Sequence, residues 1–157
     1  MRTETEERVA VVTAAKSWIR TKFHHHAAVK GAGIDCVHLV LEAYIEAGLV
    51  ERFQPEAYPA DWMFHNDEER LLAQLKRHTR RVDGSVLSIR DRGPDFRVAP
   101  ANVLIWKHGL TFSHVGIVSF WPNIIHASSP AGCCLEESVY GHETETKPVR
   151  VYSFWGS

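Results

Sequence analysis

Cys36 stands between Gly31-Ala32-Gly33-Ile34-Asp35 and an apolar run that begins at Val37, and His114 and His126 lie far downstream of it. A thiolate nucleophile needs a neighbouring base, and that base needs a third group that holds its tautomer and orientation. Cys36, His114 and His126 can fill those three roles. Each alone is weak evidence, because a free cysteine is commonly a small buried hydrophobe and a strand histidine is usually a satisfied core or surface residue. Together they point to nucleophilic catalysis.

The elements around these residues must bring them together. Val37, Val40, Leu41, Tyr44 and Ile45 follow the i, i+3, i+4, i+7, i+8 stripe of an amphipathic helix. Asp35 sits where an N-cap belongs, and Gly48 follows as a stop. Cys36 is therefore expected in the first turn of a buried helix, where the dipole and unpaired N–H groups favour a thiolate. The glycines before it allow a close approach by backbone or substrate. Residues 113–120 read as a strand, Trp121-Pro122-Asn123 as a turn and residues 124–128 as the returning strand. A short hairpin can place both imidazoles on one face, in a register that the sequence leaves open.

Several of these stretches resemble the NlpC-type peptidases, papain-like cysteine peptidases that cut cell-wall peptides. Asp35-Cys36-Val37-His38-Leu39-Val40 resembles their Asp-Cys-Ser-Gly-Leu-Val motif, and His114-Val115-Gly116-Ile117-Val118 their His-Val-Gly-Ile-Tyr strand. Ile125-His126-Ala127 resembles the strand with their third catalytic polar residue, and Trp18 to Phe23 their upstream Trp-Leu-Gly-Thr-Pro-Tyr segment. The order and spacing agree over residues 8–154. The phage-associated branch is the nearest, through stretches such as Trp18 to Ala28 and Tyr58-Pro59-Ala60-Asp61-Trp62.

The resemblance implies Cys36 as nucleophile, His114 as general base and His126 as the residue that orients it. The Cys36 N–H would be one oxyanion donor. The chemistry would be acyl transfer to water through a thioester, on peptidoglycan stem peptides, often after a D-glutamate linked through its side chain. No cofactor or metal is implied. Around the nucleophile, Phe23, Asp35, Val37 and His38 occupy the positions expected to contact the oxyanion or substrate. Departures are clear: Val37 replaces a Ser, His38 a Gly, Phe23 a Tyr, Lys22 a Pro, and Pro100-Ala101-Asn102 a Pro-Gly-Asp. Since three histidines adjoin Phe23, His24 or His25 is expected to supply the donor that Phe23 lacks.

The whole chain of 157 residues is expected to be one domain. Its formal net charge of -1 suggests neither a nucleic-acid nor an anionic-membrane partner. The ten histidines make that charge strongly pH-dependent. No apolar run suffices to span a bilayer, and the charged start Met1 to Arg8 is not a signal peptide. A cell-wall enzyme of this kind is expected to be phage-derived or tail-associated, with phage tail components as candidate partners, or else cytoplasmic until released. Cys133 and Cys134 are adjacent, which disfavours a disulfide between them, so they read as buried or half-buried strand residues.

Residues 4–20 read as a first helix with Val11, Ala14, Ala15, Trp18 and Ile19 on its apolar stripe. Residues 21–34 read as a loop, and 51–66 as a long loop whose aromatics can line a cleft or cover the core. Asn66 opens another helix, buried through Leu71, Leu72 and Leu75, with Lys76, Arg77, His78, Arg80 and Arg81 at its solvated end. Strands are expected at 86–90, 103–107, 113–120, 123–128, 133–139 and 147–154. This order means an α+β, papain-like fold, with N-terminal helices packed on a C-terminal antiparallel β-sheet.

Two other functions fit the same residues. The first is an acyltransferase or amidase with the same Cys–His–His set acting on another substrate. The second is a non-catalytic phage-tail module, with His24, His25, His26, Cys133 and Cys134 as zinc ligands. Their spacing matches no compact zinc pattern.

Overall fold

The computed structural model describes residues 1–52, 81–83, 87–108 and 111–156. Helix α1 spans Glu4–Lys16 and opens with a reciprocal cap. The Thr3 hydroxyl accepts the Glu6 N–H at 3.2 Å, and the Glu6 carboxylate accepts the Thr3 N–H at 2.7 Å, so two otherwise orphaned donors are satisfied. The helix stops short of the expected residue 20. Ser17 turns its hydroxyl onto the Ala14 carbonyl at 2.6 Å, and Arg20 takes a left-handed φ of 77°. Val11, Ala14, Ala15 and Trp18 are nevertheless buried, as the stripe requires.

Residues 21–34 are more ordered than the loop expected from their composition. They contain a two-stranded antiparallel pair, β1 (Ala28–Val29) and β2 (Gly33–Ile34). Backbone pairing between distant segments decides this, and composition does not report it. Helix α2 follows at once, over Cys36–Glu46. It ends as expected at Gly48, whose φ is 78°. Leu49 N–H bonds the Tyr44 carbonyl at 3.0 Å and Gly48 N–H the Ile45 carbonyl at 2.9 Å, the double bond of a Schellman cap. Leu39, Glu42 and Ala43 are buried in addition to most of the stripe, because α1 packs on one flank of α2 and the sheet on another.

The sheet has six antiparallel strands: β3 (Arg81–Asp83), β4 (Val103–His108), β5 (Thr111–Phe120), β6 (Asn123–Ser128), β7 (Cys133–Ser138) and β8 (Val149–Ser153). Their order is β3-β8-β4-β5-β6-β7. Val103, Ile105, Val115, Ile117, Ile125 and Ala127 face the helices, in a core with Val37, Leu39 and Val40. Leu104, Trp106, Val118, Ile124 and Val149 form a second core on the other face, closed by Ile89 and Val98. The fold is thus α+β as expected, with the sheet packed on both faces.

Three expectations need correction. Residues 87–90 do not form a strand: Ser88 makes one isolated bridge, to Pro148, and its side chain and carbonyl then cap the 3-10 turn Arg90–Arg92. Arg81 lies in a strand rather than in a basic helix end, because β8 offers it an edge to pair with. The last strand begins at Val149, after a short helix at Glu143–Thr146. The expected helix from Asn66 with Leu71, Leu72 and Leu75, the residues of the long loop beyond 52, and Lys76 to Arg80 lie outside the described residues.

Candidate active site

The site begins with the cap of α2. Asp35 is fully buried. Its Oδ1 accepts the His38 N–H at 2.9 Å and the His38 ring Nδ1–H at 2.7 Å, and its Oδ2 accepts the His26 N–H at 2.8 Å. Burial alone would raise its pKa. The bonds from His38 and His26 outweigh that and hold the carboxyl below the usual range. One carboxylate thereby starts the helix, fixes the His38 ring and anchors the turn at His26, whose φ is 60°.

Backbone pairing sets where this helix start sits relative to the sheet. The Ile34 N–H bonds the Lys22 carbonyl at 3.0 Å, and the His24 N–H bonds the Ile34 carbonyl at 3.1 Å. On the other side of the same segment, the Phe23 N–H bonds the Gly132 carbonyl at 2.9 Å and the Cys134 N–H bonds the Thr21 carbonyl at 2.8 Å. Residues 20–24 therefore lie between β2 and β7, and tie Cys36 to the strand that pairs with β6.

Strand β5 comes to the thiol through a bulge. Trp106 pairs with His114 and Lys107 with Phe112, so Ser113 is the extra residue. Such an insertion breaks the ladder locally and re-aims neighbouring groups. The Cys36 Sγ lies 3.8 Å from the Ser113 carbonyl, next in the chain to His114.

The histidines follow from register. Ile117 pairs with Ile125 and Val118 with Ile124, which sets His126 across from Gly116 and diagonal to His114. The rings meet edge to face at 5.0 Å, with His114 Nε2 2.7 Å from His126 Nδ1. Gly116 makes this possible: a Cβ there would stand 3.3 Å from the His126 Cβ and 3.3 Å from the Trp106 ring. The loop Trp121-Pro122 closes the hairpin through a cis peptide, with Phe120 paired to Asn123.

The same diagonal continues onto β7. His126 pairs with Leu135 and Ile124 with Glu137. The Glu137 Oε1 lies 2.7 Å from the His126 Nε2, and its Oε2 lies 3.5 Å from the His142 Nε2. Sequence reasoning missed Glu137. Only the strand alternation of 135 and 137, combined with the β6–β7 register, would have revealed it. Burial, reinforced by His126 and then His108, pushes His114 down to about 3. Burial also lowers His126, against the opposing pull of Glu137.

The remaining candidates are arranged around this line. Val37 is fully buried and His38 is half-buried on Asp35. Phe23 is half-buried, with its ring 5.0 Å from that of His25. His24 and His25 are exposed, and the His24 Nδ1 lies 2.9 Å from the His25 carbonyl. Ala101, at the place of the motif glycine, has a φ of 69° and accepts the Tyr44 hydroxyl on its carbonyl. Cys133 is half-buried and Cys134 buried, both on β7 and both free thiols, as the sequence suggested. Burial, then Cys133, pushes the Cys134 thiol up to about 12. Among the described residues, no group of three or more His, Cys, Asp or Glu side chains is placed to hold a metal ion. No helix among them is long and apolar enough to cross a membrane.

Neither a family model nor a curated protein matches the sequence. Solved structures do match. The NlpC/p60 domain of the peptidoglycan hydrolase SagA is similar over 93% of this chain and 97% of its own, at 18% identity and a TM-score of 0.56. NlpC2 from Trichomonas vaginalis is similar over 99% of this chain at 14% identity and a TM-score of 0.61. The peptidoglycan hydrolase RipB from Mycobacterium tuberculosis is similar over 96% of this chain at 15% identity and a TM-score of 0.56. The chain spans 49% of NlpC2 and 65% of RipB. The likeness is one of fold: the chain has the papain-like NlpC/p60 fold.

Proposed function

We propose that the chain is a cysteine hydrolase of the cell wall, which cleaves an amide bond in peptidoglycan stem peptides as a γ-D-glutamyl-type endopeptidase. The observation that carries this reading is the 2.7 Å bond between His114 and His126, held beside the bulge against which Cys36 lies. The structural likeness to peptidoglycan hydrolase domains supports the substrate class.

In this mechanism His114 takes the thiol proton of Cys36 as the sulfur attacks the amide carbon. Because burial keeps His114 neutral at ordinary pH, it is available as a base without first losing a proton. The oxyanion that forms is met by first-turn amides of α2, where the helix leaves N–H groups without intrahelical partners. His24 or His25 is the proposed side-chain donor, and Phe23 and His38 the proposed substrate contacts. Asp35 and Val37, both buried, contribute by shaping the helix start. Collapse of the intermediate breaks the C–N bond, and the amine leaves with the proton from His114. Water, deprotonated by His114, then attacks the thioester. The carboxylic acid departs and the thiol is restored. Residues Trp18 to Ala28 support a phage tail as the carrier that brings the enzyme to the wall.

Incubation with purified muropeptides, followed by mass spectrometry of the fragments, tests the proposal. Fragments ending in a D-glutamyl side-chain carboxylate are expected, and none from Cys36→Ala. Adducts with an added amine would identify an acyltransferase instead. Intact muropeptides after prolonged exposure to folded protein would reject the hydrolase reading.

A further inference from the structure

The diagonal from β5 to β7 carries more than contact. A carboxylate can only accept hydrogen bonds, and a neutral imidazole has one donor and one acceptor nitrogen. Glu137 Oε1 faces His126 Nε2 at 2.7 Å, so that nitrogen must carry the proton. His126 Nδ1 is then the acceptor, and His114 Nε2, 2.7 Å away, must be its donor. His114 Nδ1 is left as the nitrogen with the lone pair. Every bond in the line runs in one direction, from the base nitrogen's ring toward the carboxylate.

We infer that Glu137 is a positioning residue which, through His126, sets the tautomer of His114 and so selects Nδ1 as the base. The inference rests on the hydrolase reading for its catalytic meaning. The second oxygen of the carboxylate lies 3.5 Å from His142 Nε2. His126 is buried, with 4% of its surface exposed, so water cannot readily replace Glu137 as its acceptor. A third polar residue without this carboxylate could sit in either tautomer, and in one of the two the His114 nitrogen meant as base would carry a proton.

Long-range 1H–15N NMR of histidine-labelled protein tests the wiring without a substrate. In the wild type, both His114 and His126 are expected as the Nε2–H tautomer. Glu137→Leu should remove that preference and lower kcat about 10–100-fold, the size of effect seen when the outer partner of a metal-bound histidine is lost, with KM little changed. Glu137→Gln keeps an acceptor oxygen, and should restore the tautomer and part of kcat. A wild-type spectrum showing Nδ1–H on His114 overturns the inference, whether or not the variants fold. So does a folded Glu137→Leu with tautomers and kcat unchanged. Correct tautomers in a protein that never cleaves muropeptides would instead defeat the hydrolase reading and leave the wiring intact.

Discussion

The sulfur of Cys36 lies 3.8 Å from the carbonyl of Ser113, the residue that the bulge in β5 leaves out of register. Cys36 thus lies where a helix start abuts an interruption in the sheet, one residue along the chain from His114. Phe112 packs with the helix-side core, while the Trp106 ring, in the core on the other face, lies tilted against His114 at 5.7 Å between centroids. The bulge lets neighbouring residues serve a core and a site at once.

Alkylation by iodoacetamide reports on the pair directly. Cys36 is expected to react well below pH ~8.5, the ordinary thiol value, and faster than Cys133 or Cys134. Cys134 should be nearly inert, since burial pushes its thiol up to about 12. His114→Ala should slow Cys36 while leaving Cys133 unchanged. Equal rates for Cys36 in wild type and variant would show that no base acts on it.

Gly116→Ala should damage the site without replacing any of its proposed catalytic side chains. The new methyl would meet the His126 Cβ and the Trp106 ring, each at 3.3 Å, and the Ile125 carbonyl at 3.4 Å. None of these is the free end of a flexible chain, so overpacking should cost ~1–3 kcal/mol. The His114–His126 bond should lengthen, and muropeptide cleavage should fall more than stability does. Denaturant melts and turnover measured on the same sample check this. Wild-type values for both would refute it.

Stability should fall in acid, beginning well above the carboxylate range. Burial depresses His114 to about 3 and lowers His126 as well. Below their ordinary value of about 6.5, the unfolded chain binds protons that the folded chain does not. Between its folded and unfolded values a histidine adds a slope of up to about 1.4 kcal/mol per pH unit, with stability rising as pH rises. The loss runs from about pH 6.5 down to about pH 3, where His114 itself titrates. Asp35 adds a further loss in the same direction at the acid end, since its carboxylate form is the one held by the fold. Urea titrations across this range should show the slope, and His114→Gln should flatten it. A pH-independent midpoint between pH 6.5 and 4 would contradict the burial of neutral imidazoles (about 6.5 being their unperturbed value).

His24→Ala and His25→Ala separate the proposed side-chain donor from the helix amides. Removal of a true oxyanion donor should cost ~10²–10³ in kcat. Both rings are exposed, so neither change should unfold the protein, and thermal melts should coincide with wild type. If both variants turn over normally, the oxyanion is served by backbone amides alone.

What the sequence determined by itself is local. Asp35 as cap, Cys36 in the first turn, the apolar stripe of α2 and its stop at Gly48 depend on residues within a few positions of one another. So does the hairpin through Trp121-Pro122, and all are present in the fold. The tertiary structure decided what depends on pairing between distant strands. An antiparallel register can slip while keeping its composition, and each one-residue slip turns a side chain to the other face. Hence the diagonal of His114 and His126, its continuation to Glu137, and the bulge at Ser113 were not legible. The pairing of residues 20–24 between β2 and β7 was hidden for the same reason, since Arg20 to His24 become strand-like only when both neighbours offer them an edge.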